Sequence, residues 1–243
     1  MTNSVFSSTK LEQLTPNQQR WLIHRTLTER RKNNKIKQYY PATGPLRRDL
    51  YPKHLDFFTA GKIHKERLML AANRVGKTEG VCCYEMTLHL TGNYPDWWDG
   101  KRFDGPISAW MAGDTGETVR DILQHKMMGP TGEYGTGMIP KSLLVRHTSR
   151  PGLADAIKDV YVKHVSGGNS HVAFKSYDQK RVSFQGTEKH VVAFDEEPPL
   201  GVYVEGLMRT MTVGGIVMCT FTPLMGLSEV VMSYLPGGQL PNA

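Results

Sequence analysis

The chain has 243 residues, of which 39% are hydrophobic and 22% charged, the balance of a globular protein able to bury a sizeable core. No stretch approaches the roughly 18–20 apolar residues of a membrane-spanning helix, and the N-terminus lacks the basic-then-apolar layout of a signal peptide, so a cytoplasmic location is expected. Thirty Lys and Arg against 23 Asp and Glu leave a net charge of +7, which favours a polyanionic partner over simple solubility.

Thr15-Pro16 opens the first element: a threonine N-cap with proline at the first helical position predicts a helix running to about Gln38. Its far end, with Arg30, Arg31, Lys32, Lys35 and Lys37, reads either as a solvated face or as a contact for DNA or a partner. Pro41-Ala42-Thr43-Gly44-Pro45 breaks the chain and separates this appendage, residues 1–45, from a core over 46–234, with 235–243 reading as a linker. Cys82, Cys83 and Cys219 lack metal-ligand spacing, and no HxxxH or CxxC pair is present, so a structural metal site is not expected.

Within the core, apolar runs mark strands at 68–72, 107–113, 160–165, 171–176, 190–195 and 215–220. Ser166-Gly167-Gly168-Asn169 predicts a hairpin between two of them. Helices are expected over 78–90 and 116–128. Continuous apolar strands alternating with helices predict an α/β fold with a mostly parallel, helix-covered sheet.

Two of these strands end in chemistry. The run LMLAANRVGKTEG over Leu68–Gly80 stops at Gly76-Lys77-Thr78, and HVVAFDEEPP over His190–Pro199 stops at Asp195-Glu196. The first fits a phosphate loop, GxxxxGK[ST], over Ala71, Ala72, Asn73, Arg74, Val75, Gly76, Lys77 and Thr78, with Ala71 in place of the opening glycine. A strand that stops, backbone N–H groups that turn inward and a following helix N-terminus make such a loop bind phosphate. Lys77 would neutralise the β/γ charge and Thr78 would bind Mg²⁺; Glu79 completes the nucleotide-binding stretch. Arg74 reads as an arginine finger, or else as a solvent-exposed loop residue or one salt-bridged to a local acid.

The second run supplies two carboxylates with separate tasks, Asp195 for the metal and Glu196 as general base on water. Glu197 reads as a supporting residue. The next strand ends in Thr220 and Thr222, whose hydroxyls are placed to sense a γ-phosphate. Glu205 and Arg209, spaced i,i+4, read as a surface pair or as a regulatory pair, and Phe184-Gln185-Gly186-Thr187 as a turn or a loop facing the nucleotide.

The runs LYPKHLDFF, LMLAANRVGKT, SYDQKRVSFQGTEKHVVAFDEEPP and CTFTPLMG, in that order, resemble the ATPase domain of tailed-phage terminase large subunits over about Leu50 to Met232. The resemblance implies a P-loop fold of the additional-strand (RecA-like) class. It also implies ATP and Mg²⁺ as cofactors and translocation of double-stranded DNA into a procapsid. Implied partners are a portal protein, a terminase small subunit and further copies in a ring of five, within the infected host's cytoplasm. It makes Lys77, Thr78, Asp195 and Glu196 the hydrolytic set, Thr220 to Thr222 the coupling motif, and Tyr51, Pro52 and His54 the adenine segment, with His54 where a glutamine is usual. The finger is then Arg74 in cis, or Arg120 or Arg150 supplied in trans. No acidic cluster for a nuclease is present in these 243 residues, so DNA cutting is not expected of them. A helicase-like ATPase and a nucleotide-binding module without turnover are the alternatives.

Overall fold

The computed structural model describes residues 14–223, 226 and 228–235, so Leu224, Met225 and the linker expected over 235–243, save Leu235 itself, lie outside the described residues. Helix α1 (Pro16–Lys32) starts as expected, with Thr15 and Gln18 forming a reciprocal capping box, but ends before Asn33; a 3₁₀ turn over Lys35–Gln38 follows. Helix α2 (Pro52–Ala60) leads into strand β1 (Glu66–Leu70). After the loop, helix α3 begins as a π-helical turn over Lys77–Cys83 and continues as an α-helix over Tyr84–Thr91. Strand β2 (Ser108–Gly113) precedes helix α4, which runs through Gly116–Thr118, a second π-helical turn at Val119–Gln124, and His125–Met128. Such wide turns are rare and concentrate at functional sites.

Strands β3 (Leu144–Ser149), β4 (Ile157–Lys163) and β5 (Asn169–Ser176) form an antiparallel meander, with Gly167 and Gly168 taking positive φ in the expected hairpin. Strand β6 (Val191–Asp195), helix α5 (Leu200–Met211), strand β7 (Ile216–Phe221) and helix α6 (Glu229–Ser233) complete the chain. The seven strands run β1-β7-β6-β2-β5-β4-β3, parallel from β1 to β5 and antiparallel beyond. Strand β7 therefore stands between the phosphate-loop strand and the acidic strand, which is the additional-strand arrangement. Every residue of β6 and β7 is buried. Their apolar runs up to Asp195 and Thr220 follow from helices covering both faces. One core joins α2, α3 and α4 to the sheet; the other lies under α5, α6 and the crossover through Phe184.

All three cysteines are free and buried, and burial pushes the Cys82 and Cys83 thiols far up, so they behave as small apolar side chains. The expected surface pair corrects to a buried one. Glu205 is 2% exposed and meets Arg181 at 2.8 Å and Arg209 at 3.6 Å, because the crossover segment folds over this face of α5. Phe184 of the crossover packs edge-on against Trp110, and Arg209 donates to the Gly186 carbonyl.

Candidate active site

In a parallel sheet the C-terminal strand ends share one edge, and here that edge gathers the ends of β1, β7 and β6. Register puts Asp195 directly beside Thr220. Gly76 has φ +90° and Arg74 φ +67°. The left-handed turn costs glycine little, whereas the arginine carries about 1–2 kcal/mol of strain. Arg74 is exposed and makes no hydrogen bond or ion pair among the described residues.

Lys77 is 7% exposed, and its ammonium donates to the Ala71 carbonyl (2.6 Å), the Ala72 carbonyl (2.8 Å) and the Thr222 hydroxyl (2.8 Å). Thr222 Oγ1 also lies 3.0 Å from the Ala71 carbonyl and from Asn73 Oδ1. The Thr78 hydroxyl donates to both Asp195 carboxylate oxygens, at 2.9 and 3.1 Å, and Thr220 donates to Oδ1 at 3.0 Å. The additional strand thus holds both halves of the site, Thr222 the lysine and Thr220 the aspartate.

Burial pushes the Asp195 carboxyl up to about 6, against the pull of the Thr78 and Thr220 hydroxyls. A buried carboxylate paired with a hydroxyl is a hard-oxygen donor set of the kind Mg²⁺ takes alongside phosphate oxygens. No group of three or more His, Cys, Asp or Glu among the described residues forms an all-protein cage, and such a magnesium needs none. The raised pKa also has a stability sign. The folded state holds a proton on Asp195 between the ordinary value of 3.8 and about 6, so this residue's contribution worsens as pH rises through that window and stays unfavourable above it. Asp195→Asn is therefore expected to raise the melting temperature at pH 7.5 by several degrees, about 2–4 °C per kcal/mol for a chain of this size, and to lose the gain near pH 4. Thermal melts of both proteins at the two pH values measure this; an equal difference at both would overturn it.

Glu196 follows β6 with φ +68°. Its N–H donates to the Thr220 carbonyl (3.2 Å) and its carbonyl accepts from the Tyr177 hydroxyl (2.9 Å), so the strained turn is held from both sides. Burial, helped by Asp114, pushes its carboxyl up, while Lys77 opposes the shift. Tyr177 is the positioning residue that sequence reasoning missed: an aromatic after a strand carries no local mark, and its role depends on β5 and β6 flanking β2.

His54 is buried against the loop, with Nε2 donating to the Val75 carbonyl at 3.1 Å. The Tyr40 hydroxyl lies 2.7 Å from Nδ1 and 2.7 Å from the Gly80 carbonyl. Both ring nitrogens are thus engaged within the protein, and Tyr51 stacks on the ring at 5.3 Å, with Pro52 opening α2 beside it. A cavity of about 210 Å³ adjoins this cluster, lined by Tyr51, His54, Arg74 and Gly76. Glu79 also lines this cavity and is ion-paired with Lys35 and, at 2.9 Å, with Lys126. Burial raises its carboxyl, but the two ammoniums outweigh that and bring it to about 2. Arg120 pairs with Asp121 at 2.7 Å and Arg150 donates to the Ser176 hydroxyl at 3.1 Å; neither bonds to the loop or to Asp195-Glu196.

Residues 68–238 match the family described as terminase large subunit, T4likevirus-type, N-terminal. The chain is 38% identical over 205 residues to the terminase large subunit of Salmonella phage P22, covering 76% of this chain and 41% of that protein's length. A solved structure, the large terminase ATPase domain of Thermus phage P74-26, superposes with a TM-score of 0.48 at 16% identity, over 74% of this chain and 71% of that one. With this match spanning both strand-end motifs and the additional strand between them, the chain belongs to the terminase large-subunit family.

Proposed function

We propose that this chain is an Mg²⁺-dependent ATPase that drives double-stranded viral DNA into a procapsid, with residues 46–234 as the motor core and 1–45 as its appendage. The observation that carries the reading is β7 holding Lys77 through Thr222 and Asp195 through Thr220. Lys77 exchanges its loop carbonyls for β- and γ-phosphate oxygens, and loop N–H groups over 72–78 cradle the phosphates. Thr78 and Asp195 hold Mg²⁺, which when bound neutralises charge on the β- and γ-phosphates. Glu196, with its backbone fixed by Tyr177 and its carboxyl shifted toward neutral pH, accepts the proton of the attacking water. Release of Lys77 and Asp195 then reaches β7 through two hydroxyls, the route by which hydrolysis becomes movement. The base enters the cavity lined by Tyr51 and His54, the His54 ring nitrogens being taken up by Val75 and Tyr40 and Pro52 serving only to open the helix behind it.

Working as a ring docked on a portal in the host cytoplasm, with a small subunit, is the arrangement this reading implies. The test is ATP hydrolysis by the chain with and without duplex DNA. Absence of turnover under every condition would reduce it to a binding module.

Arg74, exposed and without a side-chain partner among the described residues, serves as the finger in cis. Arg74→Ala should lower kcat about 10³-fold or more, and mixing it with inactive Lys77→Ala chains should restore nothing. Recovery on mixing would show Arg74 acting in trans, whereas undiminished kcat in Arg74→Ala would return Arg120 and Arg150 to candidacy.

A further inference from the structure

The second hydrophobic core takes residues from β2, β6 and β7 and only Ala173 from β5, and none from β3 or β4. The opposite face of β4 is covered: Val160 and Val162 belong to the first core. Helices α5 and α6 thus cover one face of the sheet only as far as its parallel strands, and among the described residues the meander beyond them is open on that side.

The open face has a defined chemistry. Arg146, Tyr161 and His171 stand in register across the three strands. The Arg146 guanidinium lies 3.7 Å from the Tyr161 ring centroid, and the Tyr161 and His171 rings are 5.0 Å apart. Stacking flattens the cation against the sheet while leaving its N–H edge exposed. Lys158 and Lys163 are exposed beside this row. The acid on the face, Asp159, is consumed within it, accepting from Thr148 at 3.0 Å and from His171 at 2.8 Å.

At the inner end, Lys175 lies 4.8 Å from the Trp110 ring centroid and donates to the Ser183 carbonyl. Burial lowers its pKa, and Lys189, Lys158 and Arg150 lower it further against the pull of Asp159. Positive charges are therefore crowded here beyond what the local acid offsets, on a chain already at +7. Such crowding is relieved by an extended polyanion.

We propose that the open face of β3, β4 and β5, centred on Arg146, Lys158 and Lys163, docks the phosphate backbone of duplex DNA. The proposal rests on the DNA-motor reading above and locates its polymer track on the antiparallel extension, away from the nucleotide edge. Contacts of this kind are to phosphates and carry no sequence preference.

The test is fluorescence anisotropy of a labelled random duplex of about 30 base pairs, titrated with the whole chain between about 50 and 200 mM NaCl. Arg146→Ala/Lys163→Ala should weaken binding about tenfold and flatten the slope of log K against log salt by about two, because each lost phosphate contact removes about 0.9. Lys163→Glu, at an exposed side chain with no ion pair among the described residues, weakens binding without threatening the fold. DNA-free ATPase activity should be unchanged in both variants. Wild-type affinity and slope in both variants, or no duplex binding by the wild type, would overturn the proposal. So would variants that lose binding to polyglutamate but not to duplex, which would assign the face to an acidic protein. Absence of ATP turnover in the wild type would sink the motor reading while leaving the binding result to stand separately.

Discussion

Glu196→Gln is expected to bind ATP and leave it intact, with kcat reduced about 10²–10⁴-fold and little change in KM. The substitution keeps the side-chain shape and the left-handed backbone that Tyr177 and Thr220 hold, so only the proton-accepting oxygen is lost. Lys77→Ala should behave differently: without the ammonium the phosphates are unneutralised and affinity itself falls. Equilibrium binding of a fluorescent ATP analogue, set beside single-turnover hydrolysis, separates the two effects. Wild-type turnover in Glu196→Gln would remove it from the mechanism. Because the Glu196 pKa is raised, wild-type kcat should also fall on acidification at a higher pH than an ordinary glutamate would give.

The second large effect is on stability. Arg67 of β1 meets Glu85 of α3 at 2.7 and 3.1 Å, and Glu85 accepts from His89 Nε2 at 3.1 Å, with all three side chains almost wholly buried. Arg67 also donates to the Phe57 carbonyl, so the cluster joins β1, α2 and the helix that follows the phosphate loop. Arg67→Ala leaves a buried carboxylate without its cation and should cost about 3–5 kcal/mol. For a chain of this size that is a fall in melting temperature of about 10 °C. Arg67→Met/Glu85→Leu, which removes both charges, should be far milder. Burial raises the Glu85 carboxyl, but Arg67 and His89 outweigh it and hold the group below 4.5. Its stabilisation is therefore present above the unfolded value and lost as pH falls through the folded one. Wild type should lose stability on acidification below about pH 4.5 more steeply than the double variant. Thermal melts from pH 3 to 7 decide it, and equal losses in the single and double variants would refute the pairing.

Six of the seven strands announce themselves locally, because β6 and β7 are buried on both faces and β4 and β5 flank a glycine hairpin. Strand β3 does not: Arg146, His147, Thr148 and Ser149 form a polar edge with one face open, and no apolar period marks them. Glu205 shows the same limit on a helix. Spacing of i,i+4 correctly pairs it with Arg209, but its burial comes from a crossover that supplies Arg181, 24 residues earlier. His54 is another case, since its position matches the adenine segment that the resemblance implies while its ring is taken up by Val75 and Tyr40.

The local sequence by itself determined which groups end which strands: Gly76-Lys77-Thr78 after β1, Asp195-Glu196 after β6, Thr220 and Thr222 at the end of β7. Those groups are tied to short apolar runs whose period and termination are local properties. Only the tertiary structure decided that β7 inserts between the other two, that Tyr177 reaches the Glu196 carbonyl, and that the meander keeps a cationic face uncovered by the described residues. Periodicity reports which faces of a strand are buried, whereas neighbours in a parallel sheet are chosen by crossovers dozens of residues long. The hydroxyl that touches Lys77 lies 145 residues further along the chain.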